Sequence, residues 1–225
     1  MKKIFYLLLC TAMLSSCGTA LLTRGTAYPK MYEERPLAIA VMPPINKTNN
    51  VESKEFLYIT LPQSLCERGY YVLSPFLSME LFRSESAYDA ELFEEGPLDK
   101  FQDILGADAV LFTTIHSWEK NALLGSVTVS IEYKLRSTKT NETIFHRKGT
   151  VVYDASVKVN SGGLAGALVG VAASAISAAA TDYVKVATAC NNAALVDIPE
   201  GKYSPNYDKD QTLRVEPKEF KKTIK

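Results

Sequence analysis

Ser126-Val127-Thr128-Val129-Ser130-Ile131-Glu132-Tyr133-Lys134-Leu135-Arg136 is the stretch that decides the fold. Val127, Val129, Ile131, Tyr133 and Leu135 alternate without a break against polar neighbours. A period of two places them on one face of a β-strand and leaves the other face wet. After the polar turn 137–142, Thr143 to Tyr153 returns with mixed alternation, so the two segments read as a hairpin, with a bulge expected near Gly149.

Toward the N-terminus, Ala109-Val110-Leu111-Phe112 is continuous enough for a strand buried on both faces, ending near His116 beside Ser117 and Trp118. Pro97 to Leu105 reads as a helix with Phe101, Ile104 and Leu105 buried and Gly106 at its end, and Ser78 through Tyr88 as another. Tyr70 to Leu73 is a strand closed by Ser74-Pro75. Before it, Phe56, Leu57, Leu61 and Leu65 fall at helical spacing, with Gly69 as a stop and Pro62 expected to kink the helix or start a second one. Pro36 to Met42 is a short apolar run closed by Pro43-Pro44, and a strand there completes the order. Strand, helix, strand, helices and three further strands imply an α/β domain over residues 36–198, a mixed sheet with helices covering at least one face.

Residues 159–181 carry no charged side chain, and within them Gly162, Gly166, Gly170, Ser174 and Ala178 recur every fourth residue, along one helical stripe. Two readings stay open: an Ala/Gly-rich helix packed on its own sheet, or a self-associating or membrane-associating zipper. The helix is expected to continue through Tyr183 toward Cys190. From 199 to 225 the composition turns to Gly, Pro, Asn and Lys, which reads as a mobile, Lys-rich tail.

The chain opens Met1-Lys2-Lys3, then an apolar run Ile4 to Leu14, then Leu14-Ser15-Ser16-Cys17. Those are the parts of a bacterial secretory signal over residues 1–16, and the run is too short to span a bilayer as a retained helix. Leu14 to Cys17 resembles the lipobox, in which the cysteine becomes the first mature residue and carries acyl chains. The alternative is an ordinary signal peptide with Cys17 left as a free thiol. More than one chain is needed for stable attachment, which a diacylated or triacylated Cys17 satisfies. Residues 17–35 lack a sustained period and read as a lipid-anchored tether.

The 225 residues hold 25 Lys and Arg against 25 Asp and Glu, and removal of residues 1–16 takes Lys2 and Lys3, leaving 23 against 25. Without a clustered basic excess, nucleic acid is not an expected partner. Cys10 leaves with the signal, so Cys66 and Cys190 are either a disulfide or two separately buried thiols. No spacing reads as a metal site: CxxC and HxxxH are missing, and His116 and His146 lie thirty residues apart. No cofactor is expected either, because the Gly-rich run lacks the Lys-Ser/Thr of a P-loop.

Catalytic patterns are weak. There is no GxSxG, Cys-His chemistry would need Cys66 or Cys190 near a histidine, and Glu94-Glu95 looks like a solvated turn. A non-enzymatic, lipid-anchored assembly protein is the leading reading, with Pro43, Pro44, Asn46 and the stripe Gly162, Gly166, Gly170 as its interface. A periplasmic glycan- or small-ligand-binding module is the alternative, with Trp118, Tyr70, Tyr71 and the 43–50 loop around a cleft at a strand end. In that case Trp118 should be exposed.

Taken together, the lipobox cysteine, Val41-Met42-Pro43-Pro44-Ile45-Asn46-Lys47-Thr48, Leu61 to Val72, Leu105-Gly106-Ala107-Asp108-Ala109 and the Gly-rich segment resemble the bacterial lipoproteins formerly called domain of unknown function 799. The resemblance spans most of residues 30–198. It implies a fold akin to the TolB N-terminal domain and LpoB, and an outer-membrane location, with the periplasmic face the expected side. It also implies a CsgG-like secretion lipoprotein as partner and a role in surface export or envelope assembly, while self-association is the expectation carried by the small-residue stripe. It carries over no catalytic residue.

Overall fold

The computed structural model describes residues 22–84, 90–156, 168, 170–174 and 182–225. Seven strands form one sheet: β1 (Ala38–Val41), β2 (Ile45–Asn46), β3 (Tyr71–Val72), β4 (Ala109–Asn121), β5 (Ser126–Ser137), β6 (Thr143–Asp154) and β7 (Glu219–Ile224). Their order is β3-β1-β4-β5-β6-β7, with β2 pairing β4 further along the same edge as β1. Only β5 runs against the others, so the sheet is mixed, as the alternating hairpin and the earlier strand-helix-strand order imply.

Among the described residues the helices with defined bounds are α1 (Arg24–Ala27), α2 (Pro29–Glu34), α3 (Glu52–Cys66), α4 (Pro75–Ser84), α5 (Asp99–Leu105) and α6 (Tyr183–Ala194). Val127, Val129, Ile131, Tyr133 and Leu135 are all fully buried on one sheet face, where Leu57, Leu61 and Leu65 of α3 and Val186, Ala187 and Cys190 of α6 pack against them. A smaller cluster occupies the other face near β1: Ala40, Met42, Val110 and Phe112 meet Leu98 and Phe101. That second face stays polar along β5 and β6.

Several expectations are corrected. α3 runs unbroken through Pro62. The proline removes one backbone donor, but the buried stripe on both sides of it keeps the axis, because tertiary packing contributes more than one helical hydrogen bond. β4 continues to Asn121 rather than ending near His116, since β5 pairs it along its whole length. Gly149 lies in regular register opposite Ile131 and is no bulge. A Cβ there would stand 2.5 Å from the Phe220 ring, so glycine is required by the crossing of β7. Ile104 is exposed on α5. The last helix does not run on from the Gly-rich segment: it starts at Asp182, whose carboxylate accepts from the Val184 amide at 2.9 Å.

Both ends of the domain are more ordered than their composition suggests. Residues 24–34 are no tether; Tyr28 and Met31 sit in the main core, and Arg24 is buried against Asp210 at 2.7 Å. The end of the chain is no free tail, because β7 pairs with β6 over six residues. Arg147, fully buried on β6, ties this region down by donating to the carbonyls of Ala193 and Ala194 at the end of α6 and pairing with Asp197 and Glu216. Isolated Lys and Gly counts missed this because the ordering force is a buried arginine far away in sequence. Residues 162 and 166 of the glycine stripe lie outside the described residues, while Gly170 is helical and half-buried.

Candidate functional site

The polar face of β4, β5 and β6 carries a cluster of ionisable side chains that reaches solvent. Glu132 lies on β5 opposite Lys148, two residues along β6 from His146. On β4, the register slips between Ile115 and Ser117, and His116 falls in that slip. His116 follows buried Ile115 onto the polar face, and the slip turns Trp118, two residues on, back to pair with Val129 in the core. Both histidines of the chain therefore meet one carboxylate. His116 Nε2 is 2.8 Å from Glu132 Oε2, and His146 Nε2 is 2.8 Å from Oε1. An ionised carboxylate only accepts, so both rings donate their Nε2–H.

Burial opposes ionisation of Glu132, yet the hydrogen bonds from His146 and His116 and the charge of Lys148 outweigh it and bring the carboxyl down to about 2. A carboxylate held that far below neutral is a poor proton acceptor, and it makes a weak general base. It is a fixed negative charge with both oxygens oriented. Below it on the same face, Lys134 pairs with Glu94 at 3.0 Å and Glu95 at 2.7 Å. Arg136 donates to the carbonyls of Phe93, Glu94 and Gly96. These cations clamp the 93–96 segment over the lower end of the face and leave Glu132 to His146 as its open part. The carboxylate pair Glu94-Glu95 is thus spent on Lys134.

The residues singled out from sequence are placed differently. Pro43 and Pro44 are buried, so they offer nothing to a partner. Asn46 accepts from the Thr48 amide at 3.0 Å and donates to the Asn50 carbonyl at 2.8 Å, while Asn50 accepts from Ser53 at the start of α3. That loop satisfies its own backbone. Cys66 and Cys190 are both free; of the two alternatives the unbridged one is found, with Cys190 buried as read and Cys66 exposed instead. Burial pushes the Cys190 thiol far up. Trp118 is only 7% exposed and packs edge-on against Tyr183, and Tyr70 is buried with its hydroxyl on the Pro199 carbonyl. The aromatic cleft of the ligand-binding alternative is not assembled.

Sequence reasoning missed the Glu132 cluster because the two histidines were compared along the chain. The signal was present in the hairpin: pairing across 137–142 sets Glu132 near 146 and 148. Among the described residues, no group of three or more His, Cys, Asp or Glu is arranged to hold a metal ion. Among them also, no helix is long and apolar enough to cross a membrane.

Residues 26–202 match the family model described as "Putative lipoprotein GNA1162-like". The Neisseria meningitidis serogroup B protein described as "Putative lipoprotein NMB1124/NMB1162" is 29% identical over 157 residues, covering 69% of this chain and 72% of that one. The crystal structure of lipoprotein GNA1162 from Neisseria meningitidis is 22% identical with a TM-score of 0.48, covering 65% of this chain and all of that one. The LpoB C-terminal domain from Escherichia coli is 17% identical with a TM-score of 0.38, covering 56% of this chain and 94% of that one.

Proposed function

The chain belongs to the GNA1162-like lipoprotein family, and from that premise we propose that it is a lipid-anchored accessory or assembly protein of the bacterial envelope. Acylated Cys17 holds it to the outer membrane on the periplasmic side. It works without catalysis, by holding a partner of a surface-export apparatus, a CsgG-like secretion lipoprotein being the expected one. The observation that carries this reading is the polar face of β4 to β6. There the sheet displays Glu132, fixed by two imidazoles, beside Lys148. Fixed charges on a stiff element give orientation and specificity to an encounter, which suits recognition.

Mild crosslinking of the lipidated protein in intact cells, followed by affinity capture, tests it. The reading expects the same envelope protein to be captured reproducibly, and to be lost with Cys17→Ala and with Glu132→Lys. Capture that is indifferent to both substitutions contradicts it. Self-association through Gly162, Gly166 and Gly170 is a separate part of the proposal. Gly166→Leu should lower the oligomer size, and an unchanged size with unchanged stability removes that part.

A further inference from the structure

Little chain separates Cys17 from the folded body. Thr23 pairs with Arg214 as an antiparallel bridge, and the adjoining backbone bonds run from Val215 N to the Leu22 carbonyl at 3.0 Å and from Arg24 N to the Leu213 carbonyl at 2.8 Å. Arg24 is then locked to Asp210, so the chain is held at residues 22–24. Only five steps separate Cys17 from Leu22, and fully extended they reach no more than about 18 Å. A domain of this size has a radius of gyration of roughly 16 Å, so the anchor is shorter than the body is wide.

The surface at the point of attachment has the chemistry of a lipid interface. Leu22 and Leu213 are 48% and 51% exposed on the two paired segments, and Arg214 is exposed between them. Thr19-Ala20-Leu21 leads into them without a charge. Exposed leucines beside a cation match the interfacial zone of a bilayer, where apolar groups enter the acyl boundary and Arg meets phosphate.

We infer that the edge formed by Leu22, Leu213 and Arg214 seats directly on an anionic phospholipid surface, which fixes the orientation of the domain on its membrane. This rests on acylation of Cys17. The polar face of β4 to β6 is then presented by a body standing on the bilayer, not swinging from a leash.

The test uses the full mature lipoprotein reconstituted in vesicles of phosphatidylethanolamine and phosphatidylglycerol containing a brominated phospholipid quencher. Leu213→Trp reports on the proposed edge. Ile104→Trp, exposed on α5 across the sheet from α6, is the control, and the native Trp118 is buried in all samples. Loss of most of the emission added by Leu213→Trp, with the emission added by Ile104→Trp retained, is the expected result. Equal emission from the two positions overturns the seating. Mass spectrometry of the same preparation separates the two levels: acylated Cys17 with no quenching at 213 overturns the seating alone. A preparation without acyl mass overturns the anchor and the seating together.

Discussion

The Tyr133 hydroxyl donates to Asn191 Oδ1 at 2.5 Å in a part of the core where both residues are fully buried. Asn191 also donates to Thr60 Oγ1 at 2.8 Å and the Leu57 carbonyl at 3.3 Å, so one amide joins β5, α3 and α6. Truncation leaves the Tyr133 hydroxyl and two acceptors on α3 without their partner. Asn191→Ala should cost about 2–4 kcal/mol, while Tyr133→Phe, which removes one donor and keeps the ring, should cost about 1–2. Urea denaturation of the two variants, read by circular dichroism, gives both numbers, and equal effects would mean that the amide is not the hub.

Gly69 and Gly201 cross at van der Waals contact. Gly69 has φ +81°, and a Cβ on it would stand 2.3 Å from the Ser204 nitrogen; one on Gly201 would stand 2.4 Å from the Gly69 oxygen. The crossing docks the segment after Pro199 on the end of α3. Gly201→Ala and Gly69→Ala should each destabilise by more than about 1 kcal/mol and open the 200–216 region to limited proteolysis. Cleavage rates equal to the parent protein's would show that the contact is dispensable.

Glu132 gives the protein an acid limb. Its folded-state pKa lies below the ordinary glutamate value, at about 2. The stabilisation is therefore complete above the unfolded value of about 4.3 and is lost as pH falls from there toward 2. Glu132→Gln should flatten the dependence of the thermal midpoint on pH in that window. A parallel slope in the two proteins would mean that the imidazole contacts do not hold the carboxylate.

Thiol labelling distinguishes two free cysteines from a bridge. Cys66 is exposed and Cys190 buried, so a maleimide should modify one thiol in the native mature protein at once and the second only on unfolding. Slow labelling of both until a reductant is added would restore the disulfide.

Much of the fold was legible because its determinants are local. The period of two from Val127 to Leu135 gave β5 and its buried face, and Gly106, at φ +67°, ends α5 where the sequence placed its end. What was illegible is non-local. Residues 24–34 and 219–224 look like linker and tail by composition, and they fold because Arg24 and Arg147 find buried carboxylates and carbonyls 172 to 186 and 46 to 70 positions away. The same holds for the candidate site. His116 meets Glu132 beside a slipped register and across two strands, a pairing that no spacing in one strand announces.

The central claim is that the polar face around Glu132 holds a partner while Cys17 holds the membrane. A photoreactive residue placed at Thr150, half-buried on that face, and another at Glu55, on helix α3 across the sheet, test it most directly in living cells. An adduct with one envelope protein from position 150, missing from position 55 and lost with Cys17→Ala, is the predicted result. Adducts from position 55 alone, or from position 150 regardless of Cys17, would contradict the account.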